Sequence, residues 1–292
     1  MSGFDFTDKV MLVTGGAGGI GSAMCRRFAS GGARCVVVDI DAARAEKTAD
    51  ELPGTGHLGI GCDVLDRAQV ERLFDLVADT YGRLDVLVNN VGMTSAERFD
   101  VRSVESIERE ITLNLTSPLI ATRIAIPLLQ ASRDARVVTT VSLGGIFPLG
   151  ETPIYTASKF GLRGAMLSIG LDLRSKGILA GSVLPSATDT RMLRQEAVDG
   201  GNSMQFQDPP QQPADVVAAV VSLLDRPRLE AYARPGESWL VRFAMLAPNL
   251  LPRLFPLFRK RGDRGMARYL EDLRSRGLAC RVDDRWELVE EA

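Results

Sequence analysis

The sequence predicts a doubly wound α/β domain, in which helices cover both faces of a parallel sheet. Two observations lead to this prediction. Short runs rich in β-branched residues alternate with longer helical patterns from about residue 8 to residue 233. Each run is almost uniformly apolar, as expected of strands that are buried on both faces. Strands joined by helices run parallel and their crossovers are right-handed, so a doubly wound sheet is the simplest arrangement.

Seven runs are predicted to form the strands of this sheet, and six stretches to form helices. The strands are expected at residues 10–14, 35–40, 58–62, 86–89, 136–142, 179–184 and, as the weakest, 230–233. The helices are expected at residues 19–30, 41–52, 67–81, 111–131, 153–175 and 214–224. A polar segment at 188–212 interrupts the alternation. A loop of this length is usually a functional lid or a disordered segment.

Composition indicates an ordinary globular protein. The chain has 292 residues, of which 45% are hydrophobic and 25% charged, and a net charge of -2, which gives no reason to expect nucleic-acid binding. Its four cysteines show no metal-ligand spacing, so we expect a reducing compartment and no metal. The N-terminus lacks the features of a secretory signal, and no apolar stretch reaches the length of a transmembrane segment. The expected location is the cytoplasm.

A glycine-rich turn follows the first predicted strand and opens the first helix. Residues 14–21 read Thr-Gly-Gly-Ala-Gly-Gly-Ile-Gly. A side chain at Gly15, Gly19 or Gly21 would obstruct the turn, the approach of a pyrophosphate, or the packing of helix on strand. The N–H groups at this helix start, including that of Ile20, can bind phosphate. The turn therefore predicts a dinucleotide site.

The second predicted strand ends in a carboxylate, Asp39. An acid at this place accepts hydrogen bonds from the ribose hydroxyls and repels a 2′-phosphate. Neither Gly16 nor Ile40 supplies the positive charge that an NADP site would need, so the predicted cofactor is NAD. The alternative is that Asp39 caps the following helix.

Two further strand ends carry candidate cofactor contacts. Asp63 and Val64 follow the third strand, and Asn90 and Gly92 follow the fourth. Ligands bind at the carboxyl ends of parallel strands. Asp63 could hydrogen-bond the adenine amino group, and Asn90 and Gly92 would bring backbone close to the adenosine. Each of these residues could instead be an ordinary turn residue.

Tyr155 and Lys159 are expected one helical turn apart on the same face. A nearby ammonium favours the phenolate over the phenol, whose ordinary pKa is about 10, so Tyr155 could exchange a proton with an alcohol. Ser142, after the fifth strand, could hold the same oxygen. Asn114 is a poor helix former and could hold a water or bend the helix. Alternatively, the Tyr/Lys pair is a solvated pair and Asn114 a satisfied core amide.

Together these residues resemble the short-chain dehydrogenase/reductase family. The matching positions are 14–21, Asp39, Asp63, Val64, 89–92, Asn114, Ser142, Tyr155, Lys159 and Pro185. They extend over about residues 5–235, which the resemblance predicts to be a single Rossmann-type catalytic domain. The resemblance also implies a homodimer or homotetramer. Two positions depart from the family pattern, because Val91 stands where alanine is usual and Ser186 replaces a common glycine.

The resemblance implies roles for the residues near the predicted nicotinamide. It implies a catalytic tetrad of Asn114, Ser142, Tyr155 and Lys159. In this family the lysine also holds the nicotinamide ribose, and the asparagine supports a water that links the lysine to solvent. The resemblance further implies that Thr188 and Thr190, which follow Pro185, contact the nicotinamide end.

Residues 236–292 are predicted to form a helical C-terminal extension, which Pro248, Pro252 and Pro256 divide into short pieces. From Arg226 to Arg276 there are 12 basic and 5 acidic residues, a local excess of +7. Three arrangements are open. The pieces could pack over the domain and its substrate cleft, the basic and apolar segment 238–261 could contact a membrane surface, or the extension could form a subunit interface.

The expected function is NAD-dependent interconversion of a secondary alcohol and a ketone on a small, apolar substrate. A steroid, terpenoid, aromatic or lipid-derived alcohol would fit. Apolar residues are predicted to line the substrate pocket, namely Ile146, Phe147, Met192, Leu193, Met204 and Phe206. The alternatives are a dihydrodiol or polyol dehydrogenase and, from another class, a protein that binds NAD(H) as a sensor or scaffold without turnover.

Overall fold

Seven parallel strands form one sheet, which confirms the predicted fold class. The structure is a computed structural model that describes residues 3–289. The strand order is β3-β2-β1-β4-β5-β6-β7. The strands are β1 (Val10–Thr14), β2 (Arg34–Asp39), β3 (Leu58–Gly61), β4 (Val86–Asn89), β5 (Arg136–Thr140), β6 (Leu179–Leu184) and β7 (Glu230–Tyr232).

Helices follow the strands along the chain. They are α1 (Gly19–Ala29), α2 (Ala42–Asp50), α3 (Arg67–Tyr81), α4 (Val104–Ile111), α5 (Ser117–Gln130), α6 (Pro153–Asp172), α7 (Arg191–Val198), α8 (Pro213–Asp225), α9 (Pro235–Ala244) and α10 (Leu251–Ser275). Two further strands, β8 (Ala279–Val282) and β9 (Arg285–Leu288), form an antiparallel pair. The expectation of a purely helical extension did not include this pair. The expected division at Pro252 and Pro256 is also wrong, because α10 continues through both prolines.

The sheet has a hydrophobic core on each face because its strand residues alternate in direction. In β1, Met11 and Val13 join the core with α1, α2 and α8, whereas Val10 and Leu12 join the core with α3, α5 and α6. All four side chains are at most 1% exposed. Burial on both faces explains why the predicted strands are uniformly apolar rather than alternating.

The winding of the sheet reverses between β1 and β4. The chain runs from β1 through β2 to β3, and then returns so that β4 pairs with β1 on its other side. In open α/β sheets a crevice forms at the carboxyl ends of the strands where the order reverses. The residues that follow β1, β4 and β5 therefore lie around one crevice.

The predicted helix at 111–131 is part of a longer run that begins at Val104 and includes a π-helical turn at Thr112–Thr116. By length and composition alone, Val104–Gln130 could cross a membrane. In this fold, however, α5 packs on a face of the sheet, and Glu110 forms a fully buried ion pair with Arg102 at 2.6 Å. These contacts pack one side of the run against the domain.

The polar segment at 188–212 is ordered. It contains α7 and a 3-10 turn at Ser203–Phe206, and a parallel bridge joins Thr188 to Gln211. The 3-10 turn packs closely against α10, because a Cβ added at Gly262 or Gly265 would collide with backbone carbonyl oxygens of that turn. The segment is therefore one wall of the crevice, supported from behind by the C-terminal extension.

A buried carboxylate, Asp189, connects this wall to the extension. It accepts hydrogen bonds of 2.8 Å from Arg194 in α7, from the hydroxyl of Tyr269 in α10, and from Arg276 just after α10. Asp189 is 4% exposed. These donors hold its pKa below the ordinary value despite burial.

We predict that Asp189→Ala lowers the free energy of unfolding by about 2–3 kcal/mol, because charged and hydroxyl donors lose a common buried acceptor. Tyr269→Phe removes one donor and should cost about 1 kcal/mol. Urea denaturation measures both changes. Asp208→Ala is a matched control, since its ion pair with Arg261 is exposed and its loss should hardly change stability. An equal effect of Asp189→Ala and Asp208→Ala would contradict the assignment.

Candidate active site

The glycine-rich turn after β1 is a close backbone contact. Gly15 has a φ of +63°, and its carbonyl oxygen accepts a hydrogen bond of 3.1 Å from the N–H of Gly18. A Cβ at Gly21 would collide with that same carbonyl oxygen. Helix α1 begins at Gly19, and no side chain caps its first N–H groups. The turn therefore presents backbone donors to the crevice and fits the pyrophosphate of a dinucleotide.

Asp39 faces the crevice instead of capping a helix. The N-cap of α2 is Asp41, which accepts a hydrogen bond of 3.1 Å from the N–H of Arg44. Asp39 lines the crevice and accepts a hydrogen bond of 3.3 Å from the N–H of Ala17. This arrangement leaves Asp39 free to meet ribose hydroxyls and removes the alternative that it acts as a cap.

Arg44 also reaches this end of the crevice, and sequence reasoning missed it. Its guanidinium donates a hydrogen bond of 3.0 Å to the carbonyl oxygen of Ala17, and the side chain is part of the lining. The predicted preference for NAD rested on the lack of positive charge at Gly16 and Ile40 and did not include Arg44. The first turn of the helix after Asp39 would have been the place to look, because its side chains can fold back over the strand end.

Asn90 connects the ends of three neighbouring strands. Its amide nitrogen donates to the carbonyl oxygens of Thr14 and Gly15, at 3.3 and 3.4 Å, and its amide oxygen accepts from the hydroxyl of Thr140 at 3.1 Å. Asp63 lies nearby in the lining, where its carboxylate accepts a hydrogen bond of 2.9 Å from Leu65. Asn90 thus positions the glycine turn as well as facing the crevice.

The predicted cofactor contacts meet in one cleft of about 670 Å³. Among the described residues, its lining includes Gly15, Gly19, Ile20, Asp39, Asp63, Val64, Asn90, Gly92, Ser142, Tyr155, Lys159, Pro185, Thr188 and Thr190. Gly21 lies beneath the turn and Asn114 behind the lining. The predicted dinucleotide contacts and the Tyr/Lys pair therefore share one continuous space.

Lys159 is buried beside Tyr155. Its ammonium nitrogen lies 5.7 Å from the centre of the tyrosine ring and donates a hydrogen bond of 3.2 Å to the carbonyl oxygen of Thr140. Burial lowers the pKa of Lys159 to about 8, and the nearby carboxylate of Glu110 opposes this change. Burial raises the pKa of Tyr155 to about 12, and hydrogen bonding with Ser142 partly opposes that rise.

Asn114 holds the loop that follows β4. It lies in the π-helical turn, where its amide oxygen accepts a hydrogen bond of 2.8 Å from the N–H of Met93. Its amide nitrogen donates to the carbonyl oxygen of Met93 at 2.8 Å and to the hydroxyl of Ser158 at 3.1 Å. Met93 lines the cleft. The contacts made by this buried amide position the loop and link it to α6.

The structure brings only part of the predicted apolar pocket to the cleft. Met192 and Leu193 line it. Ile146 and Phe206 are instead buried in hydrophobic cores, 5% and 2% exposed, with the ring of Phe206 5.3 Å from that of Tyr269. Phe147 and Met204 also lie outside the lining that the described residues form.

Polar side chains that the sequence analysis did not select complete this end of the cleft. Glu196, Gln205 and Arg109 are part of the lining. Glu196 is 6% exposed and accepts a hydrogen bond of 2.6 Å from the amide of Gln205. Burial raises the pKa of Glu196 to about 7. Because Glu196 follows Met192 by four residues, a helix predicted at 191–198 would have placed both on one face.

Comparison with known proteins identifies similar sequences and folds. The family model described as short chain dehydrogenase matches residues 9–199. D-threitol dehydrogenase of Mycolicibacterium smegmatis is 34% identical over 202 residues, which cover 68% of this chain and 77% of the relative. The 3beta-hydroxysteroid dehydrogenase of Mediterraneibacter gnavus is 32% identical over 201 residues, which cover 66% of this chain and 71% of the relative.

A solved structure extends the similarity of fold. It is a short chain dehydrogenase/reductase from Burkholderia phymatum in complex with NAD, with a TM-score of 0.77 and 24% identity. The match covers 85% of this chain and 96% of that one. At this identity the comparison supports the fold.

The raised pKa of Glu196 predicts a pH-dependent loss of stability. Between its ordinary pKa of 4.5 and about 7, the folded protein keeps a proton that the unfolded chain releases, so stability falls as pH rises through this window. In the parent protein, the free energy of unfolding should fall by about 3 kcal/mol across this pH window because of Glu196, and Glu196→Gln should abolish that fall. Urea unfolding at pH 4.5 and pH 8 measures it.

Glu71→Gln is the control for this prediction, because Glu71 pairs only with Arg67 on the exposed face of α3. That variant should follow the parent protein across the pH range. If Glu196→Gln also follows the parent, the carboxyl of Glu196 has an ordinary pKa.

Proposed function

This chain belongs to the short chain dehydrogenase family, and we propose that it transfers a hydride between NAD and a secondary alcohol or ketone, with Tyr155 as the acid/base. The observation that carries the proposal is the shared cleft. The glycine turn and Asp39 line one end, and Tyr155, Lys159 and Ser142 line the other. A cofactor bound along the turn can therefore reach a substrate held at Tyr155.

In oxidation, Tyr155 takes the proton of the substrate hydroxyl while hydride leaves the neighbouring carbon. The hydride acceptor, when bound, is the nicotinamide of NAD. In reduction, Tyr155 returns the proton to the carbonyl oxygen. Ser142, which lines the cleft with Tyr155, can hold the same substrate oxygen and so orient it for transfer.

Lys159 favours the charged form of Tyr155 through its ammonium. Although burial lowers its pKa to about 8, the group is mostly protonated at neutral pH. Its charge lies 5.7 Å from the ring centre and stabilises a phenolate relative to a phenol. Asn114 contributes as a positioning residue, because its contacts hold the loop at Met93 and the hydroxyl of Ser158 beside this pair.

The choice of NAD over NADP rests on Asp39. Its carboxylate would accept hydrogen bonds from ribose hydroxyls and repel a 2′-phosphate. Arg44 lies at the same end and would attract that phosphate, but Asp39 opposes it. The preference is therefore a balance between two neighbouring charges.

Met93, Leu113, Met192 and Leu193 support a mainly apolar substrate, because they line the cleft. The steroid dehydrogenase among the relatives acts on a substrate of this kind. A diol or polyol is the second candidate, and Glu196 is the observation that favours it. A carboxylate in the lining can accept a hydrogen bond from a second hydroxyl, and another relative is a threitol dehydrogenase.

We predict that Tyr155→Phe lowers kcat for alcohol oxidation by about 10²–10⁴-fold, because the ring remains but the proton acceptor is lost. NADH formation is followed with steroids, terpenols, aryl carbinols and diols as substrates. NADH binding, measured by fluorescence, should be retained. Tyr81→Phe is the control, since its hydroxyl bonds the carbonyl oxygen of Gly56, away from the cleft.

Two outcomes would contradict the proposed chemistry. Full activity of Tyr155→Phe would exclude Tyr155 as the acid/base. Binding of NADH by the parent protein without turnover of any alcohol or ketone would favour a sensor or scaffold.

Cofactor preference tests the role of Asp39. We expect Asp39→Ser to lower kcat/KM with NAD by about tenfold and to raise it with NADP, because the repelling carboxylate is lost and Arg44 remains. Asp41→Ser is the matched control, since Asp41 caps α2 and serine can cap as well. If the ratio of NAD to NADP activity is the same in both variants, Asp39 does not select the cofactor.

A further inference from the structure

An exposed row of apolar side chains runs along the start of the C-terminal extension. We call it the apolar stripe, and its members are between 41% and 78% exposed. They are Trp239, Phe243, Leu246, Leu250, Leu254 and Leu257. Trp239 and Phe243 lie on one face of α9, and Leu254 and Leu257 lie on one face of α10, because they are three or four residues apart. Leu246 and Leu250 lie in the segment between the two helices. Exposed apolar side chains grouped in this way mark an interaction site.

A neighbouring face of α10 is anchored to the domain, so the stripe cannot turn inwards. Phe255 packs against Gly150, and Arg259 forms an ion pair of 3.2 Å with Glu151. The amide of Gln207 donates a hydrogen bond of 2.7 Å to the carbonyl oxygen of Phe258. These contacts, together with the close packing at Gly262, fix the orientation of the helix and leave the stripe facing outwards.

Basic residues predominate beside the stripe, and three of them, Arg242, Arg259 and Arg261, are ion-paired with acidic residues of the domain. Between Trp239 and Arg261 the sequence has five basic residues and no acidic one. Arg253 and Lys260 are exposed on α10, and Arg264 and Arg268 continue the exposed basic surface along the same helix. Tryptophan, phenylalanine and leucine beside arginine and lysine are typical of helices that lie in a membrane interface.

From this combination we propose that the apolar stripe binds the surface of a bilayer that contains anionic lipids. The apolar side chains would enter the boundary between headgroups and acyl chains, and the basic residues would attract the lipid phosphates. A second copy of this chain is a poorer partner, because a symmetric interface would bring the two positive patches together. The proposal does not depend on the catalytic activity.

The position of the stripe gives this binding a consequence for the cleft. The anchored face of α10 contacts residues 150–151 and the turn Ser203–Phe206, and Gln205 of that turn lines the cleft. A bilayer bound at the stripe would therefore affect the substrate end of the cleft only through this wall, which α10 supports from behind.

The test is flotation of the full chain with vesicles. Vesicles of phosphatidylcholine with phosphatidylglycerol are compared with phosphatidylcholine alone, at low and high salt. We expect binding to the anionic vesicles that high salt weakens. Phe243→Ser combined with Leu257→Ser should lower the binding constant by about tenfold or more. Arg253→Gln combined with Lys260→Gln should lower it by about fivefold per charge.

Leu76→Ser combined with Val101→Ser is the control, because both side chains are exposed and lie outside the stripe. It should bind vesicles as the parent does, and all variants should keep the parent's circular dichroism. Failure of the parent to float with anionic vesicles would overturn the proposal, as would unchanged flotation of the Phe243/Leu257 variant. An assembly of the parent in sedimentation that this variant dissociates would show that a second copy covers the stripe.

Discussion

The hydrogen bonds of Asn90 are the constraint on which the cleft depends. One amide joins the end of β1, through Thr14 and Gly15, to the end of β5, through Thr140. The carbonyl oxygen of Thr140 in turn accepts from Lys159. A single chain of contacts thus runs from the glycine turn to the Tyr/Lys pair. The distance between the two ends of the cleft is set by the sheet itself, because these contacts all rest on neighbouring strand ends.

Burial gives the cleft its unusual protonation behaviour. Burial lowers the pKa of Lys159 to about 8 and raises that of Tyr155 to about 12. Without cofactor the phenol is therefore neutral at pH 7, and Lys159 binds its proton less tightly than an ordinary lysine does. The carboxylates of Glu110 and Glu196 add to the rise for Tyr155. A phenolate therefore needs additional positive charge beside it. Under the proposed mechanism, Tyr155 would accept a proton only once the bound cofactor supplies this charge.

The sequence was sufficient for the fold and for the placement of the cofactor end, because both follow from local patterns. A glycine turn after an apolar strand, and an acid at the next strand end, lie within one βαβ unit. From the sequence, Asp39 could be either a cofactor contact or the cap of the following helix. The cap is whichever of two nearby carboxylates accepts the hydrogen bond from the N–H of Arg44, and a sequence does not show this. The structure assigns that contact to Asp41.

Prediction was weaker at the substrate end for a different reason. An apolar residue in this part of the sequence can line a pocket or pack in a hydrophobic core, and the sequence does not distinguish the two. Ile146 and Phe206 are core residues in this structure. Because the segment 188–212 contains glycines and prolines, it was predicted to be a loop. The helix α7 and the position of Glu196 on it were therefore not predicted. Tertiary contacts from the C-terminal extension, such as that of Tyr269 with Asp189, stabilise this wall, and no local pattern encodes them.

The two ends of the cleft therefore depend on different parts of the chain. The cofactor end lies within the residues that match the family, 9–199. The substrate end includes Gln205 and is supported by α10, both of which lie beyond that match. A threitol and a steroid dehydrogenase are similarly related to this chain, with 34% and 32% identity. If the proposed function holds, we expect substrate specificity to depend on the contacts between α7, the turn Ser203–Phe206 and the extension.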